Sequence, residues 1–118
     1  MTDVPPDLLA ELGVHPQDAE LTVVQFSTAF CGPCRATRVR LRQLAATRPG
    51  LVAVDVDAES HLAAVRALDV RATPALLFLG AGGRLLGRLD RAPRAGELAA
   101  LVDAHRTAGR DTRDGCGV

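Results

Sequence analysis

The run Ala75-Leu76-Leu77-Phe78-Leu79 is apolar at every position and is only a few residues long. A short strand with no polar side is stable only where both faces of its sheet are covered. The rest of the chain must therefore supply the cover. Leu21-Thr22-Val23-Val24-Gln25-Phe26 is short and rich in β-branched residues, and is predicted as a second buried strand. Leu51 to Val56 places valines at every other position, the strand period. Gly80-Ala81-Gly82-Gly83 is a hairpin turn into a fourth strand over 84–89.

The remaining segments have helical patterns. A helix over about 32–48 carries Arg35, Arg38 and Arg42 on one face and Leu41, Leu44 and Ala45 on the other, and Pro49-Gly50 stops it. A second helix over 60–68 stacks Leu62, Val65 and Leu68 on its inner side. A third follows Pro93 through Leu98, Leu101 and Val102. A short helix over 5–12 begins at proline. The predicted fold is α/β: a central mixed sheet flanked by helices, in the order β-α-β-α-β-β-α with an extra short N-terminal helix. The strand–helix–strand start implies a right-handed parallel crossover. Residues 1–109 form one domain, and the polar, glycine-containing stretch 110–118 is expected to be a flexible C-terminal tail.

A chain of 118 residues is long enough for one hydrophobic core and too short for two. Its formal net charge is zero, which gives no electrostatic case for nucleic acid or an anionic membrane as partner. No apolar stretch approaches the roughly 20 residues needed to span a bilayer. Met1-Thr2-Asp3-Val4-Pro5-Pro6 lacks the basic start and apolar core of a signal peptide, so a cytoplasmic location is expected.

Three cysteines are too few for a disulfide scaffold, but two of them form Cys31-Gly32-Pro33-Cys34, directly between the first strand and the long helix. A cysteine at a helix N-terminus faces unpaired N–H groups and the positive end of the helix dipole, and both favour the thiolate. An unperturbed thiol, with a pKa of about 8.5, is only ~3% ionised at pH 7. In Cys-x-x-Cys motifs the value can fall to around 7, thioredoxin being the standard example, which makes about half the thiol reactive. Cys31, at the helix start, is therefore the candidate nucleophile. Cys34, one turn inward, is the candidate resolving thiol that would attack Cys31 in a mixed disulfide. Gly32 is expected to let the backbone turn without a Cβ clash, and Pro33 to preset φ where a missing N–H costs nothing. The alternative is a pair of zinc ligands. Zinc needs two more, and there is neither a second Cys-x-x-Cys nor a Cys/His pair at finger spacing. His15, His61 and His105 stand apart and are assigned to the surface or a helix face; no metal and no cofactor is expected.

With Val23-Val24-Gln25-Phe26 ahead of Phe30-Cys31-Gly32-Pro33-Cys34-Arg35, and Val70-Arg71-Ala72-Thr73-Pro74-Ala75-Leu76 some 40 residues on, the sequence resembles the thioredoxin family over about residues 20–106. The resemblance implies a thioredoxin-like fold and protein-disulfide reductase activity, with protein disulfides as substrates. It implies an upstream disulfide reductase as electron donor, and a place in electron transport and cell redox homeostasis; the protein is expected to act as a monomer. It further implies that Pro74 is cis and lies against the cysteine pair. There it would keep a metal from bridging the sulfurs and expose the carbonyl and N–H of Thr73 to an extended substrate. Two rival functions remain open. One is a dedicated reductase or oxidase of a single client; the other is a non-catalytic binding module using the Thr73-Pro74 groove, which would not need both cysteines.

Four positions depart from the family pattern. Phe30 stands where a tryptophan is usual, Gln25 where a buried aspartate is, and Ala53 where a lysine faces that aspartate. Arg91 or Ala92 stands where a glycine follows the last strand. Losing the acid and its cation together is coherent, since losing one alone would bury an unpaired charge. Cys116 is a leftover thiol in the expected tail, read as incidental, the alternative being a regulatory or relay cysteine that pairs with Cys31 or with another molecule.

Overall fold

The computed structural model describes the backbone of residues 3–115 and the side chains up to Thr107. The elements are α1 (Pro6–Leu12), β1 (Leu21–Ser27), α2 (Gly32–Thr47), β2 (Leu51–Asp57), α3 (Leu62–Ala67), β3 (Ala75–Leu79), β4 (Leu85–Leu89) and α4 (Glu97–Gly115). Single 3₁₀ turns at Pro16–Asp18, Ala58–Ser60 and Ala81–Gly83 lie between them. Among the described residues the strands form one sheet in the order β2-β1-β3-β4. β1 runs parallel to β2 and antiparallel to β3, and β3 pairs antiparallel with β4. The mixed α/β sheet expected from the sequence is therefore the fold, and no described helix is long and apolar enough to cross a membrane.

The apolar run of β3 lies inside this sheet with all five residues buried, as is every residue of β1. Alternate side chains of the two strands go to opposite cores. Val24, Phe26, Leu77 and Leu79 pack under α1 and α3 with Leu9, Leu12 and Ala64. Leu21, Val23, Leu76 and Phe78 pack under α2 and α4 with Leu41, Leu98 and Val102. Each large side chain so buried contributes about 1.5–3 kcal/mol. Phe78 also meets the His105 ring at 4.8 Å between centroids, and burial lowers the basicity of that imidazole.

Asp3 and Arg84 form an isolated antiparallel β-bridge, and Val4 N–H donates to the carbonyl of Gly83, tying the N-terminal segment to the chain just ahead of β4. Gly83 is needed there. Its φ is +83°, and a Cβ would come within 2.6 Å of Leu9 Cδ1.

One expectation is corrected. The helix before β3 is shorter than 60–68, because Asp57 accepts from Glu59 N–H and holds Ala58–Ser60 as a separate turn. The later start turns Leu62 outward, 56% exposed, while Ala64, Val65 and Leu68 face the core. The last helix runs from Glu97 to Gly115. Its apolar stripe ends near Val102, so the pattern that marks its beginning is silent about its end. Cys116 lies outside the described residues.

Candidate functional site

The site begins where β1 ends. After Ser27 a short turn carries the chain across Phe30 to α2, whose N-cap is Cys31. Pro33 occupies the first helical turn, as its preset φ and missing N–H allow. Cys31 and Cys34 are joined by a disulfide, with their Cα atoms 5.2 Å apart. Cys34 N–H donates to Cys31 Sγ at 3.1 Å, so the N-cap acceptor here is a sulfur. Such a donor, together with the helix dipole, stabilises negative charge on Cys31 when the bond is open.

The two cysteines are unequally buried. Cys31 is partly exposed, whereas Cys34 is fully buried at 0%. Phe30 projects entirely into solvent at 102%. Gly32 and Pro33 are also exposed. Gly32 does not have the role expected of it: a Cβ there meets nothing within 4 Å, and its φ is not positive. No backbone constraint demands glycine.

The Thr73–Pro74 peptide bond is cis, as the resemblance implies. Pro74 immediately precedes β3, and Ala75 pairs with Phe26 at the end of β1. The antiparallel register thus brings the Thr73–Pro74 segment to the same sheet end as the cysteine motif. Thr73 is half-buried and Pro74 buried.

Beneath the motif lies Gln25, fully buried, whose Nε2 donates to the carbonyl of Cys34 at 2.9 Å. Its Oε1 has no partner among the described residues. The β1–β2 register sets Gln25 opposite Asp55 and Val23 opposite Ala53. A cleft of about 110 Å³ opens beside Gln25, lined also by Ala53, Asp55, Arg38 and Arg42. Asp55 accepts from Ser27 Oγ at 2.8 Å and from Arg38 Nε at 3.0 Å. Asp57, also on β2, is otherwise engaged: Ser60 Oγ and Glu59 N–H donate to it and hold its carboxyl below the usual range. The Ser27–Asp55–Arg38 cluster escapes sequence reasoning because it depends on strand register, although the alternation of β2 alone puts Asp55 on Ala53's face.

The family model described as Thioredoxin matches residues 14–104. Thioredoxin H4-1 of Oryza sativa subsp. japonica is 29% identical over 91 residues, covering 75% of this chain and 69% of the relative. Thioredoxin H4-2 of the same plant is 30% identical over 63 residues, covering 53% of this chain and 48% of the relative. Among solved structures, Fasciola hepatica thioredoxin superposes with a TM-score of 0.68 at 26% identity, covering 84% of this chain and 88% of that one. Chlamydomonas reinhardtii thioredoxin f2 superposes with a TM-score of 0.69 at 25% identity, covering 81% and 86%. With sheet order, cysteine motif and family match in agreement, the chain belongs to the thioredoxin family of thiol–disulfide oxidoreductases.

Proposed function

We propose that this chain reduces protein disulfides, with Cys31 as nucleophile and Cys34 as resolving cysteine. The observation that carries the reading is the inequality of the two bonded cysteines, one partly exposed and one fully buried. In the reduced protein, Cys31 thiolate attacks one sulfur of a client disulfide. A Cys31–client disulfide forms, and the client's other sulfur leaves as thiolate. Cys34 then loses its proton and attacks Cys31 Sγ, releasing the client's second sulfur and closing the Cys31–Cys34 bond. Two electrons have passed to the client. An upstream disulfide reductase must return them by reducing that bond, and no cofactor takes part. A thioredoxin f2 alike in fold (TM-score 0.67, 20% identity) has been solved with ferredoxin:thioredoxin reductase, a partner of that chemical class.

The surroundings suit an extended client. Phe30 offers an exposed apolar contact beside Cys31. Thr73 supplies backbone groups for strand-like pairing, Pro74 shapes the groove, and Gly32 and Pro33 leave the approach to Cys31 clear. A non-catalytic binding module would have no use for both cysteines. We place the protein in cytoplasmic electron transport and redox homeostasis, acting as a monomer.

The test is trapping. Reduced Cys34→Ser protein should accumulate mixed disulfides on Cys31, whereas Cys31→Ser should accumulate none. Many attached clients support a general reductant, and one recurring client supports a dedicated role. No mixed disulfide at all would refute the exchange reading.

A further inference from the structure

Resolution requires a buried thiol to lose its proton, and burial opposes that ionisation. Gln25, beneath Cys34, has no basicity near neutral pH and offers only an amide. We propose that water in the cleft beside Gln25 carries the proton of Cys34 outward to Asp55. The inference rests on the disulfide-exchange reading above and concerns its second step.

Three observations converge. Gln25 Oε1 is a fully buried acceptor without a partner among the described residues; Gln25 lines the cleft and donates to the carbonyl of Cys34, which itself does not line it, so this amide is the link between the two. A cleft of about 110 Å³ has room for water, which needs only some 10–15 Å³ and two or more polar partners. Asp55 lines the same cleft from the rung opposite Gln25, and its side chain is 35% exposed, so a proton received there can pass to solvent. Ser27 and Arg38 fix the carboxylate in place.

In the step itself, the thiol of Cys34 gives its proton to a cleft water, and a proton passes from that water to Asp55. The freed thiolate pair attacks Cys31 Sγ, and the electrons of the broken bond leave on the client sulfur. Asp55 then releases its proton to bulk. Asp55 acts through water and is a positioning residue, not a catalytic one. Among the described residues, the charged groups facing it are Arg38 and Arg42 from α2, and β1 contributes the neutral Ser27 and Gln25. Along its own strand, Asp57 is held by Ser60 and Glu59 N–H.

Two variants separate the relay from structural support. Asp55→Asn keeps the shape and loses the proton acceptor. Ala53→Leu fills the cleft and leaves every polar group in place. Each is made in the full chain with Cys116→Ser, and the reduced protein is mixed with one equivalent of 5,5′-dithiobis(2-nitrobenzoate). The first thionitrobenzoate released reports attack by Cys31, and the second reports resolution by Cys34. Both variants should leave the first phase unchanged and slow the second about a hundredfold or more near pH 6–7, the range a lost proton acceptor produces. The deficit should shrink as pH rises and hydroxide takes over as proton acceptor. Two wild-type second phases would overturn the relay while leaving exchange intact, and so would a deficit equal at every pH. A slowed Asp55→Asn with an unaffected Ala53→Leu would overturn the water path, and the reverse would overturn Asp55 as acceptor. Absence of the first phase in the parent would instead refute disulfide exchange itself.

Discussion

The amide of Gln25 donates from Nε2 to the main-chain carbonyl of Cys34 at 2.9 Å, tying the middle of the sheet to the first turn of the active-site helix. An aspartate at this position has no N–H to donate when ionised. It would set a buried charge beside a carbonyl oxygen, opposite the carboxylate of Asp55 on the neighbouring strand. Gln25→Asp should therefore lose about 2 kcal/mol or more at pH 7, and less as acid protonates it. Gln25→Met removes the donor together with the unpartnered Oε1, and should cost about 1 kcal/mol. Urea unfolding of the oxidised proteins measures both. An aspartate variant as stable as wild type at pH 7 would show that this hydrogen bond contributes nothing.

Gly32→Ala should leave stability within about 0.5 kcal/mol of wild type, because the new methyl group meets nothing and the site is helical. Reduction of a bulky protein disulfide should slow more than reduction of a small one, if the bare surface serves approach to Cys31. Thermal unfolding and paired rate measurements check the two halves separately.

What the sequence discloses differs by kind of constraint. β3 is legible because five apolar residues in a row admit one environment, and α2 because its start coincides with the cysteine motif and its end with Pro49-Gly50. The inward side of α3 is misread, since a side-chain cap by Asp57 delays the helix and turns Leu62 to solvent. Gly32 invites a steric explanation that its actual φ removes. The partnership of Asp55 with Ser27 and Arg38 is invisible because three elements distant in sequence must first be brought into register.

Glu97, at the start of α4, accepts from both terminal nitrogens of Arg91 and from Arg94 N–H. Chiefly the Arg91 guanidinium, and then the Arg94 N–H, pull its carboxyl from the usual 4.5 down to about 2. A carboxyl depressed on folding contributes stability that is fully present above its unfolded value and lost as pH falls through its folded one. Glu97→Gln should therefore be less stable than wild type at neutral pH, with the gap narrowing between about pH 4.5 and pH 2. Unfolding measured across that range shows it, and a constant gap would assign the effect to something other than charge.

Reduced protein treated with limiting alkylating reagent at pH 7 should carry the label on Cys31 well ahead of Cys34. The first cysteine is partly exposed at a helix N-terminus and the second is fully buried. Peptide mapping reads the order, and preferential labelling of Cys34 would reverse the two roles.

The central claim is catalysed transfer of two electrons to protein disulfides through Cys31. Its most direct measurement is the rate of insulin disulfide reduction with a small dithiol as electron supply, with and without the protein. Wild type should accelerate the reaction well beyond the dithiol alone, Cys116→Ser should match it, and Cys31→Ser should return the rate to background. A wild-type rate no faster than the dithiol alone, or full activity in Cys31→Ser, would contradict the account.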